Sequence, residues 1–296
     1  MPVRRTFVEE GQATAEDGTP IAFQVAGAGP PVLLVHSAAA DARQWSRLVP
    51  LLAPRFAVVT MDRRGRGRSG PIGPDHSLAV EYGDVAAVAA LVAATLGGPV
   101  HLVGHSSGAR YALHAALDAA LDAALDAALD DNLASLVLYE PPQPEQVSDA
   151  VAESLVRLEA ANDREGILWT FFGPILGLTE AGFSALKERP IWPLMVDNAL
   201  TLPAELRAAR SYRFDPSGFA QLTIPTLLLV GELTDPEDRR MTEQLAAILP
   251  HAHVVTLAGQ GHGAMFSAPH LLASELARFF DLRDGESRIP QAKRSV

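Results

Sequence analysis

The sequence predicts an α/β protein built on a mostly parallel sheet. Short apolar runs that do not alternate with polar residues, such as 32–35 and 226–230, are typical of parallel strands buried on both faces. Longer segments with apolar residues at helical spacing, such as 78–96, stand between these runs. This alternation along most of the chain favours a layered sheet with helices on both faces.

The individual elements follow one another in a regular order. Asp17-Gly18 lies between two short β-prone segments, 7–15 and 20–26, and this pair of residues is typical of a hairpin turn. Six further strands are predicted at 32–35, 56–61, 100–103, 133–139, 226–230 and 253–257, and helices at 42–53, 78–96, 107–130, 237–249 and 268–281. The expected sheet therefore has eight strands.

Between residues 145 and 220 the alternation stops. Prolines at 141, 142 and 144 end regular structure, and helical segments with several aromatic residues follow. The simplest interpretation is a helical insertion between two core strands. We therefore predict a core made of 1–144 and 221–296 and a helical lid made of 145–220.

The charge and composition argue against several classes of protein. A formal net charge of −11 disfavours nucleic acid and anionic membrane surfaces as partners. Because the chain has no cysteine, disulfides, thiol catalysis and cysteine-ligated metals are excluded. No apolar stretch follows the basic N-terminal residues, so we expect no signal peptide. We also expect no apolar run long enough to cross a membrane. A cytoplasmic protein is expected.

A serine between two glycines marks the most informative turn of the chain. The segment 104–108, Gly-His-Ser-Ser-Gly, follows the apolar run 100–103 and precedes a strongly helix-forming stretch. A serine at such a strand-turn-helix junction is held in a strained backbone conformation with its hydroxyl directed away from the sheet. The flanking glycines let strand and helix approach closely. The structural alternative is an ordinary βα loop of small residues.

Four motifs, taken in their order along the chain, resemble the α/β-hydrolase superfamily. His36 followed by Trp45 resembles the oxyanion-loop motif, and the segment 62–69 (Asp-Arg-Arg-Gly-Arg-Gly-Arg-Ser) is similar to the signature after the fourth strand. The segment 104–108 fits the nucleophile elbow, and 259–262 (Gly-Gln-Gly-His) resembles the loop of the catalytic histidine. The resemblance implies an α/β-hydrolase fold with an inserted helical lid.

The resemblance also implies a catalytic triad of serine, acid and histidine. Ser106 is the expected nucleophile and His262 the expected general base. Two positions are open for the acid, which orients the imidazole and offsets its developing charge. Asp235, after the strand that follows the lid, is favoured, although it stands one residue later than the common spacing. Glu140, after the sixth strand, occupies the position used in haloalkane dehalogenases; its structural alternative is a carboxylate that accepts N–H groups of the proline turn.

Two backbone N–H groups are expected to form the oxyanion hole. One belongs to Ser107, directly after the nucleophile, and the other to Ala38, two residues past His36. The family commonly has glycine where Ser37 stands. The hydroxyl of this serine is an additional candidate donor to the oxyanion. His36, His101 and His105 lie at strand ends and are interpreted as structural.

Four arginines, at 63, 64, 66 and 68, cluster beside Asp62. The favoured interpretation is a turn held by hydrogen bonds between Asp and Arg side chains near the site. The alternative is a site for phosphate or an anionic substrate.

A tetrapeptide, Ala-Ala-Leu-Asp, occurs four times in succession over 115–130. Alanine and leucine favour helix strongly. A period of four against about 3.6 residues per turn makes the leucines wind around the helix, and the helix should extend past the core. A solvated extension is favoured over an oligomer contact, and the chain is expected to be a monomer or a homodimer.

Together these features predict a serine hydrolase that cleaves a small carboxylic ester, lactone or thioester through an acyl-enzyme on Ser106. No metal or organic cofactor is expected, and the partner is a small-molecule substrate. Cofactor-free perhydrolysis and C–C bond hydrolysis with the same triad remain open. A non-catalytic ligand-binding protein on the same fold is the alternative from a different class. Since Ser106 is not an aspartate, dehalogenase and epoxide-hydrolase mechanisms are disfavoured.

Overall fold

The sheet of the protein has eight strands in the order β1-β2-β4-β3-β5-β6-β7-β8. A computed structural model describes residues 8–125, 132–145 and 147–287. β1 pairs with β2, and β2 with β4, in antiparallel fashion, whereas all other neighbours are parallel. The strands are β1 Val8–Thr14, β2 Pro20–Ala26, β3 Pro31–Val35, β4 Ala57–Met61, β5 Val100–His105, β6 Leu133–Tyr139, β7 Thr226–Gly231 and β8 Ala252–Leu257. The predicted, mostly parallel sheet is confirmed.

Helices cover both faces of this sheet. They are α1 Val49–Leu52, α2 Leu78–Leu96, α3 Ser107–Leu125, α4 Asp149–Ala160, α5 Arg164–Thr170, α6 Glu180–Lys187, α7 Trp192–Asn198, α8 Leu202–Ala209, α9 Pro216–Phe219, α10 Pro236–Ile248, α11 Ala264–Ser267 and α12 Pro269–Ser287. Apolar residues of α2, α3 and α10 pack on one face, and those of α1, α11 and α12 pack on the other. Each face therefore carries its own core.

One predicted helix is divided in the structure. The segment 42–53 forms a 3-10 turn, Ala42–Trp45, and then α1, which has Pro50 in its first turn. The predicted helix 268–281 is continuous, because it corresponds to α12, which begins at Pro269 and follows the short helix α11. Since proline lacks an N–H and clashes with the preceding turn, the first turn of a helix is its favoured place, as in α1 and α12.

The predicted extension of α3 falls partly outside the described residues. The helix is described to Leu125, and residues 126–131 within and after the Ala-Ala-Leu-Asp repeat are not. The role of the repeat therefore stays a prediction.

α2 corrects one expectation from the sequence. By length and composition, this 19-residue helix meets the criteria for a membrane span, so an apolar run of that length does exist. Its many alanines and valines give it an apolar composition, and it packs Val85, Val88 and Val92 into the core. It also carries Glu81 and Asp84, which are ion-paired to buried arginines. These contacts are those of a core helix of a folded domain.

α4 to α9 lie between β6 and β7, in the segment where the sequence predicts a helical insertion. They build a third apolar cluster that includes Ala39 from the loop after β3. The buried members of this cluster are Ala39, Leu155, Ile167, Leu168, Phe171, Ala199, Leu202 and Leu206. The insertion thus packs against the loop that follows β3, and its role as a lid stays a prediction.

A buried charge cluster ties the insertion to the core. Arg63 and Arg66, both almost completely buried, share the carboxylate of Glu205 from α8. The distance from Arg63 Nη2 to Glu205 Oε1 is 2.8 Å. Arg63 also donates to Glu81 of α2 at 2.9 and 3.0 Å, and its guanidinium lies 4.3 Å from the ring centre of Tyr111.

The other two arginines of the cluster also have internal partners. Arg64 donates to both carboxylate oxygens of Asp84 at 2.6 and 2.7 Å and to Asp17 at 3.0 Å. Arg68 is ion-paired with Glu10. Because each of the four guanidiniums faces a carboxylate of the same chain, the geometry favours the structural interpretation of this cluster over an anion-binding site.

We expect Glu205→Gln to lower the free energy of unfolding by about 3–5 kcal/mol, because it leaves two buried arginines with too little negative charge. Glu159→Gln is the matched control. Glu159 pairs with Arg207 of α8 at 2.8 Å, but this pair is exposed and is worth about 1 kcal/mol or less. Urea unfolding of both variants measures the difference, and equal losses would contradict the assigned role of Glu205.

Candidate active site

Ser106 occupies the sharp turn between β5 and α3. Its φ is +54°, in the left-handed region that a non-glycine residue rarely adopts. A Cβ at Gly104 would lie 2.4 Å from the carbonyl oxygen of Gly108, and one at Gly108 would lie 2.4 Å from that of Val35. Only glycine fits these two positions, so the turn has the close strand–helix approach expected of a nucleophile elbow.

Backbone strain is concentrated around Ser106. Among the described residues four non-glycine residues have positive φ, and three of them are Ala39, Ser106 and Glu140. These three lie in the loops or turns that follow β3, β5 and β6. The conformation of Ser106 is held by its N–H, which donates to Tyr139 O at 2.9 Å, and by its carbonyl, which accepts from Ala109 N. Strain of this kind persists where surrounding contacts over-determine it, and it is common at functional sites.

His262 and Glu140 are joined by a short hydrogen bond. The distance from His262 Nδ1 to Glu140 Oε2 is 2.5 Å. The other oxygen of Glu140 accepts from Gly231 N at 2.7 Å and from the hydroxyl of Thr234. The Glu140 side chain is 2% exposed, whereas that of His262 is 56% exposed. A buried carboxylate thus holds the imidazole by Nδ1, and Nε2 is not used in this hydrogen bond.

The environment of Glu140 keeps its carboxylate ionised. Burial raises the pKa of Glu140, but hydrogen bonds from His262, Thr234 and Gly231 favour the charged form. The resulting pKa lies below its ordinary value of 4.5. A carboxylate that is ionised at neutral pH favours the Nδ1–H tautomer of His262.

Asp235, the favoured acid of the sequence analysis, has a different position. Its carboxylate caps α10 by accepting from Glu237 N at 2.9 Å, and the side chain is exposed. The hydrogen bond to His262 expected of Asp235 is made by Glu140 instead. The physical reason is that β6 lies directly beside β7, and Glu140 N donates to Leu229 O at 3.0 Å. Glu140, directly after β6, thus lies at the edge of the sheet where β7 and β8 also end.

The loop that contains Ala38 is held by hydrogen bonds to the preceding peptide. Ser37 O accepts from His36 Nδ1 at 2.8 Å and from Arg63 Nη1 at 3.3 Å. Arg63 N donates to His36 Nε2 at 3.1 Å, which fixes the proton of the imidazole on Nδ1. Because a trans peptide is planar, holding Ser37 O also sets the direction of the Ala38 N–H.

The second expected oxyanion donor lies at the start of α3. Ser107 is the first residue of this helix, and the N–H groups of a first helical turn have no acceptor within the helix. Such groups also lie at the positive end of the helix dipole. The Ser107 N–H is therefore suited to a negative charge that develops next to Ser106.

His105 contacts the His262 loop from the end of β5. Its ring centre lies 4.4 Å from that of His262, and its Nε2 is 2.9 Å from His262 O. The His262 loop is also held by Tyr139, whose hydroxyl donates to Gly261 O and accepts from Ala264 N. The sequence predicts only a structural role for His105 and does not single out Tyr139, Thr234 or Gln44. Tyr139 and Thr234 contact residues far away in the sequence, and Gln44 contacts His105 at the end of β5, so no local pattern indicates them.

Among the residues that the structure describes, no group of three or more histidine, aspartate and glutamate side chains is arranged to hold a metal ion. The absence of a cofactor stays a prediction.

Comparisons with known proteins agree with this architecture. The chain matches the model of the Alpha/beta hydrolase family over residues 32–275. A crystal structure of an alpha/beta hydrolase from Sphaerobacter thermophilus is similar to it with a TM-score of 0.76 and 31% identity, over 91% of this chain and 100% of that one.

Two curated relatives are similar over very different lengths. A non-heme haloperoxidase from Rhodococcus erythropolis is 39% identical over 33% of this chain and 36% of its own length. A non-heme chloroperoxidase from Streptomyces lividans is 27% identical over 91% of this chain and 99% of its own length. The chain spans about a third of the length of the first curated relatives it matches.

Because of the Glu140 carboxylate, the stability of the protein should vary with pH in the acid range. The pKa of Glu140 is lowered by folding, so its stabilising contribution is complete above the ordinary value of 4.5 and is lost as the pH falls through the lower folded value. We expect the difference in free energy of unfolding between wild type and Glu140→Gln to shrink between about pH 6 and about pH 3. Urea unfolding across this range tests it, and a difference that stays constant would contradict it.

Proposed function

The chain belongs to the alpha/beta hydrolase family, and on that premise we propose that it is a serine hydrolase that forms an acyl-enzyme on Ser106. The proposed substrates are small carboxylic esters, lactones or thioesters. The observation that carries this proposal is the short hydrogen bond between His262 and the buried Glu140, beside a strained serine at the start of a helix.

The proposed mechanism gives each of these groups a defined role, and His262 acts in every proton transfer. His262 Nε2 takes the proton of Ser106 Oγ as the oxygen attacks the substrate carbonyl, and Glu140 stabilises the imidazolium that forms. The Ala38 and Ser107 N–H groups donate to the oxyanion. His262 then protonates the leaving alcohol or thiol. Water, deprotonated by the same imidazole, attacks the acyl-enzyme, and the bond to Ser106 Oγ breaks to release the acid while His262 returns the proton to that oxygen. The mechanism requires no metal or organic cofactor.

The surroundings of the oxyanion loop support a neutral acyl group. Ala38 and Ala39 belong to the apolar cluster built by the insertion, which also contains Leu155, Phe171 and Leu202. The nearby guanidiniums of Arg63 and Arg66 are neutralised by Glu81 and Glu205, so they offer no free charge for an anionic substrate. Apolar surroundings with a few directed N–H donors are typical of sites for small organic ligands.

Perhydrolysis is a second candidate, because a relative named as a chloroperoxidase is similar over 91% of the chain. In this reaction hydrogen peroxide replaces water in the second step, attacks the same acyl-enzyme and leaves as a peracid, with His262 taking the proton. The triad and oxyanion donors have the same roles in both reactions. Peracid formation from an ester and hydrogen peroxide, measured beside acid release in water, distinguishes them.

We expect a fluorophosphonate probe to label the wild type covalently, and we expect no labelling of Ser106→Ala, because the probe reacts with a serine that has an activating base. His262→Ala should label far more slowly. Ser211→Ala, which changes an exposed serine, is the matched control and should label like the wild type. A folded wild-type protein that takes up no probe would contradict the proposal and favour a ligand-binding role.

The two candidate acids predict different kinetics. Glu140→Gln should lower kcat for ester hydrolysis by about 10⁴, because the amide no longer favours the required tautomer and charge of His262. Asp235→Asn should change kcat by less than about threefold, since this residue caps α10. Steady-state kinetics of both variants, with circular dichroism to confirm folding, measure this. The reverse order of effects would assign the acid to Asp235.

A further inference from the structure

Gln44 links the oxyanion loop to the residue that precedes the nucleophile. Its Oε1 lies 3.2 Å from Ser37 N and 2.7 Å from Ser37 Oγ, and its Nε2 lies 3.2 Å from His105 Nδ1. His105 Nε2 in turn lies 2.9 Å from His262 O. Gln44 is 1% and His105 3% exposed, so both side chains are shielded from water.

The two end groups, Ser37 N–H and His262 O, determine the direction of each hydrogen bond in this series. Ser37 N–H can only donate, so the amide atom facing it is the oxygen of Gln44. The amide nitrogen therefore donates to His105 Nδ1, which must be the unprotonated ring nitrogen. The proton of His105 is then on Nε2 and is donated to His262 O, which can only accept. Burial lowers the pKa of His105 well below its ordinary value, in agreement with a neutral ring that has a single N–H.

We propose that Gln44 is a positioning residue that, through His105, holds the oxyanion loop, the nucleophile elbow and the His262 loop in one fixed arrangement. The proposal rests on the proposed acyl transfer, since these three segments supply the Ala38 N–H, Ser106 and the imidazole. The Gln44 amide contacts the oxyanion loop directly. It is linked to the nucleophile elbow and the His262 loop through the imidazole of His105. Gln44 itself does not touch the substrate.

The effect of losing this link should appear mainly in kcat. The oxyanion donors and the base act on the transition state, and the loss of one such donor costs about 10²–10³ in kcat. Losing the Gln44 link displaces these groups instead of removing them, so a smaller loss is expected. Binding of the neutral substrate depends more on apolar contacts, which the Gln44 amide does not make.

Two substitutions at Gln44 test its hydrogen bonds to Ser37 and to His105. Gln44→Met keeps the length of the side chain but makes neither hydrogen bond. Gln44→Glu still accepts from Ser37, but its second oxygen can face His105 Nδ1 only when that nitrogen is protonated. The doubly protonated ring then donates both to the introduced carboxylate and to His262 O, which restores the link at lower pH. Gln244→Met, at an exposed position on α10, is the matched control.

The closing experiment measures kcat and KM for p-nitrophenyl acetate as a function of pH in these variants. We expect Gln44→Met to lower kcat by about 10- to 100-fold with KM changed less than about threefold. The ratio of kcat between Gln44→Glu and wild type should rise as the pH is lowered, and Gln244→Met should match the wild type. Wild-type kcat values in both Gln44 variants, or losses confined to KM, would overturn the proposal.

A second readout separates this proposal from the proposed function. In protein labelled with ¹⁵N-histidine, the wild-type spectrum should show His105 protonated on Nε2, and the His262 signals should shift in Gln44→Met but not in Gln244→Met. If these shifts occur and the wild type neither hydrolyses the ester nor takes up the fluorophosphonate, the link stands and the hydrolase proposal fails. If the wild type is active and the His262 signals do not move, the link is overturned while the hydrolase proposal stands.

Discussion

Parallel strands end at the same edge of a sheet, and the candidate site depends on this constraint. Val35 is paired with Gly104, Gly104 with Leu138, and Tyr139 with Leu229. The loops after β3, β5, β6, β7 and β8 therefore begin side by side, although they are far apart in the sequence. The proposed nucleophile, acid and base need no long connection to meet, because the backbone register has already brought their positions together.

This convergence is accompanied by local strain, which other contacts hold in place. Ser106 and Glu140 both have positive φ. The N–H of each donates to a backbone carbonyl of the neighbouring strand, Tyr139 O and Leu229 O respectively. A left-handed residue costs of order 1–3 kcal/mol, and these hydrogen bonds belong to the same ladder that aligns the strands. The sheet thus supports the conformation that presents the hydroxyl and the carboxylate.

Buried ion pairs connect the insertion to the loop after β3. Arg63 donates to Ser37 O beside the expected oxyanion donor and also binds Glu205 of α8. A single guanidinium therefore contacts both the loop of the candidate site and the helices packed over that loop. Because an unpaired buried charge is costly, the position of α8 and the shape of the loop after β3 are coupled through Arg63.

The sequence by itself determined the eight strands, the elbow around Ser106 and the loop that carries His262, because each depends on residues close together in the chain. The sequence left the acid open and favoured Asp235. In the tertiary structure the contact with His262 is made by Glu140, which lies 122 positions from His262 in the sequence. The sequence also did not single out Gln44, whose side chain joins Ser37 in the loop after β3 to His105 at the end of β5. Local patterns of apolar residues, glycine and proline specify elements and turns. Which side chains meet is decided only by the order and register of the strands, since that arrangement is a property of the whole sheet.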